Sequence, residues 1–282
     1  MIDKVLKEPL KLGELWYDDG NFELRDKEPI YRERTALAAK WGENLRRTQS
    51  FDDPVRFTIA DRLDDCRPRR RCGLAACPQC SHAFQRWLYD AALTALAPFG
   101  PLGALTIVPA RLQRFQGTLA TLKLASAHRH LRRLLTDAGV ENVPMIGVLD
   151  LSFNIHSEGL WNPLFQPHFA LLLPDQHTDS VSSLLRTYVK KHPARGQGRQ
   201  PVHAPIRRQA ISDVNWQGSY TLKYRPIQKT WFEAYSPRAH PTEQWLQPQQ
   251  QVEALLWLGE QPPEARLFML GVRRYGEVLK LL

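Results

Sequence analysis

No stretch of about 18 or more uncharged apolar residues occurs in this 282-residue chain, which argues against a membrane-spanning helix. The opening MIDKVLKEPLKLGELW lacks the apolar core and small-residue cleavage site of a secretory signal, so the expected location is the cytoplasm. No internal repeat is found, so the fold is not read as a stacked array. Acidic side chains are in short supply, 29 against 38 Lys and Arg, for a net charge of +9. Cysteine is absent everywhere except between Cys66 and Cys80. What remains is ordinary globular material, 43% hydrophobic, with enough length for one large domain or two modest ones and a real core.

The excess cations are clustered. They concentrate in RPRRRC (67–72), HRHLRR (128–133), KKHPARGQGR (190–199) and at Arg207 and Arg208. Separate basic clusters that converge in a fold suit a partner lined with phosphates, whereas scattered ones would only solvate the surface. On that ground Arg67, Arg69, Arg70, Arg71, Lys190, Lys191, Arg207 and Arg208 are the expected nucleic-acid contacts.

The pattern along the chain divides it into 1–60, a charged helical region; 61–99, the cysteine segment and a following helix; 100–235, an α+β core; and 236–282, a closing segment. An amphipathic helix is expected over 35–49 and another over 84–99, stopped by Pro98 and Gly100. A β-rich run follows at 102–110. Residues 111–139 have the spacing of one long amphipathic helix, with Leu112, Phe115, Leu119, Leu122, Leu124, His128, Leu131, Leu134 and Leu135 on its apolar stripe and Gly139 past its end. Two strands at 143–155 and 165–174 read as a hairpin with a long loop. A helix capped by Thr178 or Asp179 is expected over 177–192, a further strand over 206–214 and, within 215–229, a helix ending near Pro226. The stretch 236–250 reads as irregular, and 265–282 as a helix or a hairpin around Gly271 and Gly276. This order predicts an α+β fold with a central antiparallel sheet rather than a βαβ array.

The four cysteines follow C-x5-C-x4-C-x2-C spacing. Four thiolates satisfy a tetrahedral zinc ion, and the Cys-Pro-x-Cys turn aims Cys77 and Cys80 at one centre. Such a site is closed and therefore structural. His82 is an alternative fourth ligand, and two disulfides or buried free thiols are the other readings; a cytosolic chain disfavours disulfides.

Two further segments carry chemistry. In the apolar strand FQPHFALLL (165–173), alternation places Gln166, His168 and Ala170 on one face. His168 alone is an ordinary hydrogen-bonded core histidine. In YTLKY, Tyr220 and Tyr224 share one face of a helix with Lys223 beside them. A tyrosine nucleophile needs a stabilised phenolate and a nearby cation, which Lys223 would supply; an amphipathic helix packing its tyrosines is the plainer reading.

Taken in order, the cysteine cluster, the run LGALTIVP, the strand IGVLDLSF, the segment QPHFALLL, YTLKY and the late LGVRRYGEVLK resemble the rolling-circle replication initiators and two-tyrosine transposases of the HUH endonuclease superfamily. The resemblance spans roughly residues 60–282. It implies a ferredoxin-like antiparallel sheet with the metal strand at its centre and a Mg²⁺ or Mn²⁺ ion. It also implies attack by a tyrosine on a DNA phosphate, leaving a 5′-phosphotyrosine and a free 3′-OH. By position His168 matches one metal histidine, Tyr220 and Tyr224 the nucleophiles, and Lys223 the accompanying lysine. Ala170 stands where the second metal histidine belongs and has no donor atom; Gln166 stands where another histidine is often found. Asp150 or Glu158 would have to complete the site. The expected function is a DNA-binding, replication-initiator-like protein acting on single-stranded or hairpin DNA. It is either a metal-dependent nickase or a catalytically inactive descendant that serves as a regulator or assembly subunit. A zinc-stabilised RNA-binding or protein-interaction module is a third reading. Trp161, Trp216, Trp231, Trp245 and Trp257 would either stack bases in it or simply fill a core.

Overall fold

The structure is a computed structural model, and it describes residues 29–48, 54–67, 70–159, 161–193, 205–211, 226–231 and 242–282. In chain order the helices and strands are α1 (Pro29–Arg47), α2 (Val55–Asp64), α3 (Pro78–Leu96), β1 (Leu102–Ile107) and β2 (Arg114–Phe115). Then come α4 (Leu124–Asp137), β3 (Met145–His156), β4 (Leu164–Pro174), α5 (Asp175–Lys191), β5 (Ile206–Ala210) and β6 (Ile227–Trp231). The chain closes with β7 (Thr242–Gln244), α6 (Pro248–Gly259), β8 (Leu267–Leu270), β9 (Val272–Tyr275) and β10 (Val278–Leu281). Among the described residues no helix is long and apolar enough to cross a membrane.

The chain divides into two compact units. One comprises residues up to Trp87 together with Leu246–Ala265, and the other comprises Leu88–Trp245 with Arg266–Leu282. The first unit is helical. Leu45 of α1 and Ile59, Ala60 and Leu63 of α2 are buried, as are Val252, Leu255 and Trp257 of α6. The close approach of α2 and α6 depends on Gly259: a Cβ there would sit 2.4 Å from Cδ1 of Ile59. Asn44 donates to Gln251 Oε1, tying α1 to α6 at 2.5 Å.

The second unit is built on an eight-stranded sheet with path order β5-β1-β4-β3-β6-β7, β2 pairing β4 and β8 pairing β3. The sheet is mixed rather than purely antiparallel, because β6 runs parallel to β3. Every residue of β4 is buried, and β1 and β3 pair with its two edges. Directly paired residues share a face and neighbours alternate, so register assigns the faces. Phe165, Phe169 and Leu171 stand with Phe153, Leu149, Leu105 and Ile107 on the face that α4 and α5 cover. Phe169 lies 5.9 Å from the His128 ring of α4 and 5.8 Å from Phe268. A Cβ on Gly103 of β1 would meet Thr178 Oγ1 of α5. Phe153, Phe165, Phe169 and Phe268 are fully buried, each contributing about 1.5–3 kcal/mol of transfer free energy.

Several expectations are corrected. The long helix over 111–139 is broken: only Leu124–Asp137 is α-helical. Arg114 and Phe115 instead pair with Phe165 and Leu164, and Gly117 takes φ +85°. The hydroxyls of Thr118 and Thr121 donate to the carbonyls of Phe115 and Thr118, an alternative to helical bonding. Phe115, placed on the apolar stripe, is 38% exposed. The end of α4 is as expected: Gly139 adopts φ +74°, Val140 N–H bonds Leu135 O, and Gly139 N–H bonds Thr136 O, a Schellman closure. The α5 helix begins at Asp175 with no side-chain cap, and Thr178 Oγ1 points back to the Pro174 carbonyl. Residues 227–231, just past the expected helix end near Pro226, form a strand that was not expected, β6. The stretch 236–250 holds β7 and the start of α6.

Candidate metal centre and the polar face of the sheet

The four cysteines meet in the first unit, all buried, with their sulfurs within 4.8 Å of one another. Cys66 Sγ lies 3.7 Å from Cys80 and 3.5 Å from Cys77, and Cys72 lies 3.6 Å from Cys80. These distances are too long for disulfides, and all four cysteines are free. They match the ~3.8 Å edge of a tetrahedron whose centre is ~2.3 Å from each sulfur. The local structure explains the convergence. Cys77 directly precedes Pro78, the first residue of α3, a position proline favours. Cys80 sits in the first turn, where the helix N-terminus favours a thiolate. Cys66 follows α2, and the chain then reverses through a bridge in which Arg67 and Arg70 exchange both backbone hydrogen bonds. Gly73 N–H donates to Cys80 Sγ at 3.3 Å.

The electrostatics of this cluster call for a cation. Hydrogen bonds from Cys72, Cys77 and Cys80 hold Cys66 far below the ordinary thiol range. Its thiolate, through the hydrogen bond with Cys72, drives that thiol well up. Burial, and then the same neighbours, push Cys77 up. A low Cys66 thiol beside raised Cys72 and Cys77 thiols is the pattern of buried sulfurs competing for negative charge, which a divalent cation would relieve. His82, the alternative ligand, is engaged elsewhere: its Nδ1 is 2.8 Å from Arg34 Nη1, and the cluster consists of cysteines alone.

The knuckle is tied to the rest of its unit by hydrogen bonds. Ala75 N–H donates to Gln261 O, Ser81 Oγ to Ala75 O, and Gln79 Nε2 to Thr35 Oγ1. Of its arginines, Arg67 donates to the carbonyls of Asp64 and Cys66, and Arg71 to Gln79 Oε1 at 3.0 Å. Arg67 and Arg70 are exposed, while Arg71 is half-buried. Arg69 lies outside the described residues.

In the second unit, the sheet face opposite α4 and α5 carries Gln166, His168 and Ala170 of β4, paired with Ser152, Asp150 and Val148 of β3. His168 Nε2 is 3.3 Å from Asp150 Oδ2 and its Nδ1 is 3.2 Å from Gln166 O. Gln166 is not turned to an ion: its Oε1 accepts from Gln113 Nε2 at 2.8 Å. Ala170 is flanked by Val148 and Thr106. Asp150 is therefore the carboxylate beside His168, whereas Glu158 is exposed beyond the end of β3. Fully buried Arg266, whose guanidinium is pushed down by burial and back up by Asp150, adds a cation to this neighbourhood. Gln113 and Arg266 escape sequence reasoning. The first falls in a stretch patterned like a helix, and nothing local marks the second as buried. Tyr220, Lys223 and Tyr224 lie outside the described residues.

Strand alternation also separates Arg207 from Arg208. Arg207, exposed overall, pairs with Thr106 on the polar face, where partial desolvation lowers its guanidinium. Arg208 pairs with Leu105 on the helix-covered face and binds Asp179 of α5 at 2.5 Å. Lys190 and Lys191 are exposed at the end of α5.

Comparison with protein-family models, with curated proteins and with solved structures finds no match to this chain.

Proposed function

We propose that this chain is a zinc-braced, DNA-binding protein of the replication-initiator type. The observation that carries the reading is the buried four-cysteine cluster, whose sulfur spacing fits tetrahedral zinc. Cys66, Cys72, Cys77 and Cys80 would hold the ion, leaving no open position for chemistry. The +9 net charge and the exposed Arg67, Arg70, Lys190 and Lys191 support a phosphate-bearing partner. Arg208, held by Asp179, is a weaker candidate contact than its neighbour Arg207. A labelled single-stranded or hairpin oligonucleotide titrated at several salt concentrations tests this. Affinity should fall steeply with salt, and affinity indifferent to salt would sink the phosphate-contact reading.

A second reading, a metal-dependent nickase, is favoured by one observation. His168 Nε2 and Asp150 Oδ2 stand 3.3 Å apart on the two central strands, a separation that suits two adjacent ligands of Mg²⁺ or Mn²⁺. Such an ion would polarise the scissile phosphate. Tyr220 or Tyr224, after giving up its phenolic proton to solvent, would attack phosphorus; the bond to the 3′ oxygen breaks, and that oxygen takes a proton from solvent to leave as a 3′-OH, with Lys223 the cation adjacent in sequence. Ala170 and the engaged Gln166 weigh toward the non-catalytic alternative, a DNA-binding regulator or assembly subunit. Incubation with labelled single-stranded DNA and Mn²⁺ decides: a covalent adduct lost in Tyr220→Phe or Tyr224→Phe supports nicking. Binding without any adduct supports the inactive form.

A further inference from the structure

The β9–β10 hairpin takes part in neither site. Its register pairs Arg273 with Lys280 and Tyr275 with Val278, so these four side chains share one face. On the other face Val272 and Leu279 are buried and anchor the hairpin. Gly276, at φ +61°, makes the turn, and Arg274 Nε clamps it by donating to the Gly276 carbonyl at 2.7 Å. Leu282 N–H closes the open end on Gly271 O. The ribbon is thus held in shape while one face stands in solvent, with Tyr275 50% and Val278 49% exposed. Arg273 and Lys280 are exposed too, and neither forms an ion pair among the described residues. Lys280 Nζ lies 5.7 Å from the Tyr275 ring centroid.

An isolated exposed aromatic is unremarkable. An aromatic ring beside a valine, with two cations on the adjacent rung of a braced ribbon, is a surface that matches a nucleotide strand: the ring offers a stacking platform and the cations neutralise neighbouring phosphates. We infer that the Arg273–Tyr275–Val278–Lys280 face of this hairpin is a contact surface for single-stranded DNA. The inference rests on the DNA-binding reading above and gives it a location. Two features select the strand over other occupants. Because Val272 and Leu279 anchor the ribbon by its opposite face, it offers one face rather than a free-standing blade that could enter a duplex groove, which suits unstacked bases better. A second copy of the same face would oppose cation to cation.

The test uses the full chain and a labelled mixed-sequence single-stranded oligonucleotide, read by anisotropy across a salt series. Tyr275→Ala should weaken binding roughly tenfold or more, as loss of one stacked base does. Arg273→Gln with Lys280→Gln should lower the log–log salt slope by about 1.4, the release expected for two contacts to a single strand. All three positions are exposed, so the variants should melt with the wild type. Wild-type protein that fails to bind overturns the DNA-binding reading itself. Wild-type binding with unchanged affinity and slope in the variants overturns only the hairpin assignment. So does a shift of oligomeric state in Tyr275→Ala with DNA affinity intact, which would assign the face to a second copy.

Discussion

The two units solve the problem of a stable core in different ways. The sheet unit does it with area: long strands, one of them buried along its entire length, and four fully buried phenylalanines beneath α4 and α5. The helical unit has smaller pieces to work with. Between α2 and α3 the described residues of 65–77 hold no helix and only the single Arg67–Arg70 bridge. Its core there is made of Leu74, Ala75, Ala76 and the four cysteines themselves. A segment with so little regular structure buries its backbone only if something cross-links it, and a metal ion does so at a single point. The sheet unit needs no such staple. The comparison teaches that the four-cysteine cluster belongs to architecture, while the buried Asp150–His168 pair lies in the other unit.

The largest expected effect follows directly. Removing the metal, by chelation or by Cys77→Ser, should abolish cooperative folding of the helical unit, a loss on the order of 10 kcal/mol by the strength of structural zinc sites. Calorimetry should show one transition lost and the sheet unit's transition kept. A shared loss of both would break the comparison.

The converse break is Gly147→Ala. A Cβ at Gly147 would lie 2.0 Å from the Ala170 carbonyl oxygen and 2.8 Å from Leu171 Cα, both backbone atoms that cannot step aside. Overpacking of that severity should cost about 3 kcal/mol or more, in the sheet unit alone, with the metal content unchanged.

Arg266→Met probes the buried charges. It strips the Asp150 carboxylate of a buried cationic neighbour, and the loss should be about 3 kcal/mol, partly recovered by adding Asp150→Asn. Equal losses in the single and double variants would mean that Arg266 stabilises by packing rather than by charge.

The smallest effect is a pH dependence. Burial, then the charge of Arg132, lowers the pKa of His128, against a raising hydrogen bond to the Arg266 backbone. The unfolded chain therefore takes up a proton near pH 6.5 that the folded chain refuses. Its contribution is complete above that pH and is lost as pH falls toward the folded-state value. Urea titrations at pH 7.5 and pH 5.5 should differ less in His128→Phe than in wild type; an unchanged difference would assign the pH dependence to other groups.

How much was legible depended on whether a signal was local. The cysteine spacing is local and carries its own geometry, so the cluster was readable outright. Strands β3 and β4 and the α4 closure at Gly139 were readable for the same reason: runs of one periodicity ended by turn residues. The failures were tertiary. Residues 111–123 have helical spacing, but β4 offers Arg114 and Phe115 a strand partner, and tertiary pairing overrode the pattern. Strand β6 gains its hydrogen bonds from β3, more than seventy residues earlier in the chain, which no local window sees. At the polar face, His168 was visible in sequence, but its engagement with Asp150 and the diversion of Gln166 to Gln113 depend on register. Arg207 and Arg208 looked like one basic patch until strand alternation sent them to opposite faces.

The most direct test is metal analysis of the full-length protein purified without added metal, with absorption spectroscopy at the metal edge. The account predicts one zinc per chain bound by four sulfurs at about 2.3 Å, and none in Cys77→Ser. A wild-type chain that is metal-free, fully folded and indifferent to chelator would contradict it.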